Sequence, residues 1–369
     1  MESPEAAVSF ACTSCGAELT YQPGTTTLAC QYCGAENEIP EIDESVEELD
    51  FLAYLTEAAT KEEELVGHFV KCDSCGASCT LEPNITASDC PYCSTPLVME
   101  HAHDETVIKP KSLLPFKLSQ DQALAEFKEW VGKRWFAPND LKKASLNFDH
   151  FKGVYIPYWT FDTDTYSSYT GQRGDHYYET QRYTTTENGK SVTKTRQVRK
   201  TRWRFVCGHV SKAFDDILIV ASESLPKKCI EKLEPWDLDN LVPFEKSYLS
   251  GFISERYQIE LGDGFERAKD IADAEIRRLV RRDIGGDEQR ISRVNTRHDD
   301  ITFKHLLLPV FVCAYRFKDQ LYRFLVNGRT GEVQGERPWS WIKITGLVLG
   351  LLAVVGIVAL IATRQTVLR

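Results

Sequence analysis

Eight cysteines fall into two sets of one form. The first is Cys12-x2-Cys15, fourteen residues, then Cys30-x2-Cys33; the second is Cys72-x2-Cys75, fourteen residues, then Cys90-x2-Cys93. Two intervening residues let one tight knuckle aim two sulfurs at a single point. Two such knuckles on neighbouring hairpins close a tetrahedral four-thiolate site, which suits Zn²⁺. Every ligand of the first set has a counterpart in the second at one constant offset. The same offset relates Ser14/Ser74, Gly16/Gly76, Ala17/Ala77, Thr20/Thr80, Pro23/Pro83, Thr26/Thr86 and Tyr32/Tyr92. The pattern is an internal duplication of one small unit. A unit of this size buries too little core to fold unaided, so the metal must supply folding energy. The spacing therefore predicts two zinc ribbons, at 8–36 and 68–98, each holding one Zn²⁺.

Gly16, Gly34 and Gly76 follow the second cysteine of their knuckles, where the chain often needs positive φ. The fourth knuckle has Ser94 there and should be less relaxed. Met1–Thr13 has neither a basic start nor an apolar run, which speaks against an exported, disulfide-stapled scaffold. Cys79 takes the place of Leu19 in the other ribbon and reads as a small core hydrophobe. Cys207, Cys229 and Cys313 are scattered. His101-Ala102-His103-Asp104 lacks a further ligand nearby and reads as linker.

The remaining chain must position these units. Residues 37–67 link the ribbons, and Glu36–Gly67 carries twelve carboxylates against Lys61, enough to account for the net charge of −10 of the whole chain. Val46, Leu49, Phe51, Leu52, Leu55, Ala58 and Ala59 lie there at helical spacing, predicting an acidic amphipathic helix. A helical connector is expected over 99–150, with Ser119 capping a helix to Trp135 and a second short helix from Leu141 to Ala144. Residues 151–225 read as a β-rich domain whose turn is Asn188-Gly189. Beyond that turn Lys194, Arg196, Lys200, Arg202 and Arg204 should share one strand face, with Tyr177, Tyr178 and Tyr183 on the opposite arm. Residues 226–340 read as an α+β domain, with a helix over 264–284 followed by strands. The expected fold class is thus α+β: two small rubredoxin-like zinc ribbons, a β-rich α+β body and one C-terminal transmembrane helix.

That last element is expected at 342–363. Ile344–Thr363 has no charge. At about 1.5 Å per residue it is about as long as the roughly 30 Å hydrocarbon layer is thick. Trp339, Trp341 and Lys343 precede it as interfacial anchors would. The sequence therefore predicts a single-pass membrane protein with its bulk, residues 1–340, in the cytoplasm, where thiolates stay reduced. Gly346-x3-Gly350 offers a small-residue face for a homodimer within the bilayer.

Composition excludes collagen-like, coiled-coil and wholly disordered classes, and net acidity argues against a general nucleic-acid coat protein. No G-x4-G-K-[ST], G-x-S-x-G, H-E-x-x-H or G-x-G-x-x-G occurs. Asp162/Asp164 and Asp215/Asp216 are the nearest approach to catalytic carboxylates and read as turn or sheet-edge residues. No catalytic residue is assigned.

The two cysteine sets, together with RWFAPNDLKKA (134–144), GVYIPYWTFD (153–162), YTGQRGD (169–175), TFKHLLLPV (302–310) and LVNGRTGEVQGERPWSW (325–341), resemble a bacterial family. That family joins transcription-factor-IIB-type or rubredoxin-like zinc ribbons to a membrane-anchored body, and the resemblance covers nearly the whole chain. Such proteins often carry the label primosomal protein N-prime, a superfamily II helicase. The phosphate-loop lysine and the acidic metal-binding box of a helicase have no counterpart here. The resemblance implies association with membrane-maintenance proteins of the phage-shock or flotillin-like kinds. Two functions are then expected: a non-enzymatic adaptor presenting its ribbons to a protein partner, or a nucleic-acid-binding accessory factor using the basic strand.

Overall fold

In the computed structural model of the chain, residues 10–40, 48–56, 64–80, 87–98, 102–134, 151–187, 190–317, 320–336 and 341–367 are described. The first ribbon is a three-stranded antiparallel sheet, β1 (Leu19–Tyr21), β2 (Thr27–Cys30) and β3 (Glu36–Glu38). β4 (Leu49–Asp50) and a short helix α1 (Phe51–Thr56) follow. The second ribbon is built on β5 (Glu64–Lys71) with β6 (Ser78–Thr80), and on the pair β7 (Ala87–Asp89) and β8 (Pro96–Val98). β9 (Ala102–Ile108) pairs back onto β5, so His103 and Asp104 sit on a strand; His101 lies outside the described residues.

The body is one nine-stranded sheet to which both expected body segments contribute. After β10 (Ser112–Leu113) and α2 (Gln120–Gly132) come two very long strands, β11 (Phe151–Glu187) and β12 (Lys190–Val220). α3 (Lys227–Ile230), β13 (Val242–Pro243), β14 (Ile253–Ser254) and α4 (Leu261–Ile284) precede a third long strand, β15 (Glu288–Phe317). β16 (Gln320–Asn327), β17 (Val333–Gly335) and α5 (Trp341–Val367) end the chain. The main order is β12-β11-β15-β10-β13; β14 joins β11, β4 and β16 join β15, and β17 joins β16.

α2 begins where the sequence signals it: Ser119 and Gln122 form a reciprocal capping box, satisfying two backbone donors at once. The expected helix at 141–144 and the turn at 188–189 lie outside the described residues, as do parts of the linker. Of the expected acidic helix, the described portion is one strand pair and the six residues of α1, anchored by Phe51 against Phe161, Phe265 and Phe303. α4 runs to Gly285, whose φ of +63° ends it.

Side-chain alternation along β11 and β15 decides where everything packs. Phe151 and Tyr155 with Leu307 and Phe311 face the first ribbon and α2. Val154, Ile156 and Tyr158 with Leu306, Leu308, Val310 and Val312 face the second ribbon and α3. Farther along the first of these faces, Trp159, Phe161 and Phe303 pack against α4. The two ribbons thus cover opposite faces of one sheet. Burial on both faces explains why HLLLPVFVC (305–313) is almost unbroken in apolar residues.

The C-terminal expectation is corrected. α5 forms over the apolar run. Among the described residues no helix is long and apolar enough to cross a membrane. The transmembrane helix at 342–363, the bilayer as a partner through it and the single-pass location with a cytoplasmic bulk therefore have no described span to rest on. The homodimer contact expected through Gly346 and Gly350 loses its setting with them.

Candidate metal centres

Each cysteine set converges. Cys12, Cys15, Cys30 and Cys33 bring their sulfurs within 4.8 Å of one another, and Cys72, Cys75, Cys90 and Cys93 do the same. The closest pairs are Cys12–Cys33 at 3.6 Å, Cys15–Cys30 at 3.5 Å, Cys72–Cys93 at 3.5 Å and Cys75–Cys90 at 3.6 Å. A disulfide needs about 2.05 Å. Four thiolates around one ion at about 2.3 Å place sulfurs about 3.8 Å apart, so both clusters fit a single tetrahedral metal ion.

The backbone prepares the sulfurs. In each knuckle the residue after the second cysteine returns its N–H to the first cysteine's carbonyl: Gly16 to Cys12 at 2.8 Å, Gly34 to Cys30 at 3.0 Å, Gly76 to Cys72 at 2.8 Å and Ser94 to Cys90 at 2.9 Å. All four have positive φ, from +58° at Ser94 to +77° at Gly76, as the knuckle spacing predicts. Backbone N–H groups of Cys33 and Tyr32 pull the Cys30 thiol down to about 6, and the Cys90 thiol beside it pulls Cys75 down to about 5. Each cluster thus holds at least one thiol ready to ionise and bind metal.

The surroundings of the two clusters differ sharply. The first ribbon rests on the body through its strands: Tyr21 donates its hydroxyl to the carbonyls of Thr25 and Phe116, and its N–H to the carbonyl of Ser250. Its knuckles bury Cys12 and Cys30 but expose Cys15 and Cys33, with Tyr32 85% exposed. The second ribbon is held by its strands, with Thr80 bonded to Ser254, and by its knuckles as well. Tyr92, the counterpart of Tyr32, is fully buried, and its hydroxyl donates to Glu255 Oε2 at 2.7 Å. Arg323 Nε donates to the Tyr92 carbonyl (2.9 Å), Gln258 Nε2 to the Gly76 carbonyl (3.2 Å) and Lys152 Nζ to the Asp89 carbonyl (3.0 Å). Glu255 itself is buried and also accepts from Ser224 Oγ. Burial pushes its carboxyl up to about 7 against the pull of the Ser224, Tyr92 and Ser222 hydroxyls. Cys79 is a buried neighbour of this site, held high by desolvation and not a ligand. The sequence carried no signal for Glu255, because the carboxylate meets Tyr92 only through the tertiary fold.

The acidic pairs resolve differently. Asp162, Asp215 and Asp216 gather at a bulge, while Asp164 is not part of the group. Lys304 Nζ supplies the cation, 3.0 Å from Asp216 and 2.9 Å from Glu48. Burial and the neighbouring Glu48 push Asp162 up to about 7. These residues fasten β4 to the sheet edge, where Glu48 also accepts from Thr302.

The basic stripe is regular: Lys194 faces Tyr183, Arg196 Gln181, Lys200 Tyr177, Arg202 Asp175 and Arg204 Arg173, all on one face. Much of its charge is answered within the hairpin. Lys200 pairs with Glu179, Arg204 and Arg173 pair with Asp175, and Arg196 and Arg202 lie over the rings of Tyr183 and Tyr177.

No protein-family profile matches the chain, and no solved structure matches it. The chain is similar to an uncharacterized protein, YdjG, of Bacillus subtilis (strain 168), with 26% identity over 350 residues, covering 93% of this chain and 94% of that one.

Proposed function

We propose that the protein is a non-enzymatic adaptor that binds two Zn²⁺ and presents its first ribbon to a protein partner, while its second ribbon is a structural plug. The carrying observation is the pair Tyr32 and Tyr92, one 85% exposed and the other fully buried at equivalent positions. An exposed tyrosine offers a large contact area with few rotamers to freeze, which suits a docking tip. Zinc is the ion of choice because four thiolates at this spacing match its tetrahedral preference.

Partners consistent with the resemblance are proteins of membrane maintenance, of the phage-shock or flotillin-like kinds. The nucleic-acid alternative draws less support, since the cations of the basic stripe are largely answered within the hairpin. A photo-crosslinking residue placed at position 32 should trap a discrete protein in cells. The same residue at Gln31 should trap it more weakly. Tyr32→Ala should abolish co-purification of the trapped protein while both metals stay bound. Unchanged co-purification from a Tyr32→Ala, Gln31→Ala double variant would reject the first ribbon as the presenting surface. A soluble duplex or single-stranded DNA titration should give no binding that Lys200→Ser, Arg202→Ser and Arg204→Ser together remove.

A further inference from the structure

A second docking place lies on the body, at the free edge of β12. β12 ends the main sheet, and among the described residues no strand pairs with its outer edge. Near its end, Ala221 N–H donates inward to the Pro157 carbonyl at 2.9 Å. Inward and outward backbone groups alternate along an antiparallel strand, so the N–H and C=O of Leu218 and Val220 turn to the open side.

That open side is the floor of a cavity of about 800 Å³. One wall is α4, with Arg267, Asp270 and Ile271; the other is α3 and the turn after it, with Lys227, Ile230 and Glu234. Ile271 lies off the buried stripe of α4 and is 51% exposed toward this space. The cavity also straddles the two layers of the fold. Leu218 and Val220 belong with Leu225 and Ile230 on one face of the sheet, while Ile217 and Ile219 belong with α4 on the other.

From this we propose that an extended segment of a protein partner adds to β12 as a strand alongside residues 217–220, between α3 and α4. Main-chain bonds to Leu218 and Val220 supply the affinity, as in other cases of strand addition to a free edge. Alternate side chains of the added strand enter opposite layers, one set toward Leu225 and Ile230 and the other toward Ile271. The segment is therefore apolar at successive positions. It also carries a lysine or arginine. Lys227 pairs with Glu231 and Arg267 with Glu223, whereas Glu234 and Asp270 have no cationic partner among the described residues. This site deepens the adaptor reading by giving the kind of partner segment, and it rests on that reading only in taking the partner to be a protein.

The test is selection of randomised twelve-residue displayed peptides on the immobilised full chain. Enriched peptides should carry a run of apolar residues and a lysine or arginine. Two variants check where they bind. Val220→Pro removes an outward N–H without touching the ladder to β11, a position where a sheet tolerates proline. Ile271→Asp places a charge on an already exposed helix position. Each should weaken a selected peptide about tenfold, with metal content and circular dichroism unchanged. Should Val220→Pro disturb the fold, Ile271→Asp alone carries the decision. Tyr32→Ala should leave peptide binding untouched, so failure here and failure of the first-ribbon reading are separate results. No enrichment above blank support, or enriched peptides that bind Ile271→Asp as tightly as the wild type, would overturn the proposal.

Discussion

Tyr32 and Tyr92 stand at the same place in two copies of one unit, on opposite faces of one sheet, and meet opposite fates. The first ribbon touches the body with its strands and with Cys12 and Cys30, and leaves Cys15, Cys33 and Tyr32 in solvent. The second touches it with its strands too, through Ser78, Thr80 and Asp89, and adds its knuckles, which carry the contacts with Glu255, Gln258 and Arg323. The duplicated unit gives two four-cysteine modules; burial of the Tyr92 knuckle makes one of them part of the core. The ligand set is identical, so the ligands alone do not reveal which copy is free to meet a partner.

The strongest test of this asymmetry removes a ligand from each ribbon in turn. Cys30→Ser and Cys90→Ser should each reduce bound metal from about two ions per chain to about one, read by elemental analysis. Their effects on the body should diverge. Loss of the first site should leave the sheet's thermal transition nearly unchanged, because that cluster closes locally. Loss of the second should pull the whole transition down by roughly ten degrees or more. Cys72, Cys90 and Cys93, with Tyr92, sit within the core that also holds Val154, Tyr158 and Val310, whereas of the first set only Cys12 and Cys30 reach the core and Tyr32 does not. Structural zinc is worth on the order of 10 kcal/mol in isolated fingers, far more than a domain can lose unnoticed. Equal shifts in the two variants would dissolve the distinction.

Next in size is the tyrosine pair. Tyr92→Ala removes a fully buried ring and leaves Glu255 short of a donor, so it should destabilise by about 3–5 kcal/mol. Tyr32→Ala should fall within about 0.5 kcal/mol of wild type. Chemical denaturation of both variants measures the difference directly.

A pH profile sharpens it further. Burial holds the Glu255 carboxyl at about 7, above its ordinary value of 4.5. The protonated acid is therefore favoured in the folded state. Its contribution is full below about pH 4.5 and is lost as pH rises through about 7, a change of about 3 kcal/mol. Glu255→Gln keeps an acceptor for Tyr92 and should flatten this fall. Metal binding runs the other way, since thiols must ionise, so the comparison belongs at fixed saturating metal. A wild-type profile as flat between pH 5 and 8 as that of Glu255→Gln would show that Glu255 does not titrate in this window.

Much of the metal chemistry was legible before any coordinates. Cysteine spacing works through local geometry, and a tight knuckle leaves little for the rest of the fold to decide. The helix over 264–284 and the Ser119 cap were readable for the same reason. What the sequence hid was non-local. Residues 288–299 look polar, yet they form the outer half of β15, because that stretch needs only main-chain pairing to β11 and one covered face. The joining of both body segments into one sheet, and the choice of which ribbon to bury, depend on partners far apart in the chain. The apolar C-terminal run shows the opposite error: composition predicted a span, while among the described residues no helix is long and apolar enough to cross a membrane.

The smallest expected effect returns to the residue after the last cysteine of each ribbon, Gly34 in the first and Ser94 in the second. Gly16, Gly34 and Gly76 take φ between +73° and +77°; Ser94 takes +58° in the same role, with the same hydrogen bond back to its cysteine. A Cβ added at any of the three glycines would meet nothing within 4 Å, so no clash distinguishes the sites. Only backbone energetics remain. A left-handed conformation costs an ordinary L-residue about 1–2 kcal/mol, while a glycine costs about 0.5–1 kcal/mol of extra chain entropy on folding. The balance favours glycine, so Ser94→Gly should stabilise the second ribbon by roughly 0.5–1 kcal/mol. Gly34→Ser should weaken the first ribbon by the same amount. Competition against a chelator reads both changes as metal retention, with Ser94→Gly slower to release its ion and Gly34→Ser faster. The ribbons differ in setting as well, and this pair of swaps separates the two causes. If Ser94→Gly releases metal no more slowly than wild type, the buried setting of the second ribbon already offsets the strain at Ser94, and the knuckle sequence has no measurable share in the asymmetry.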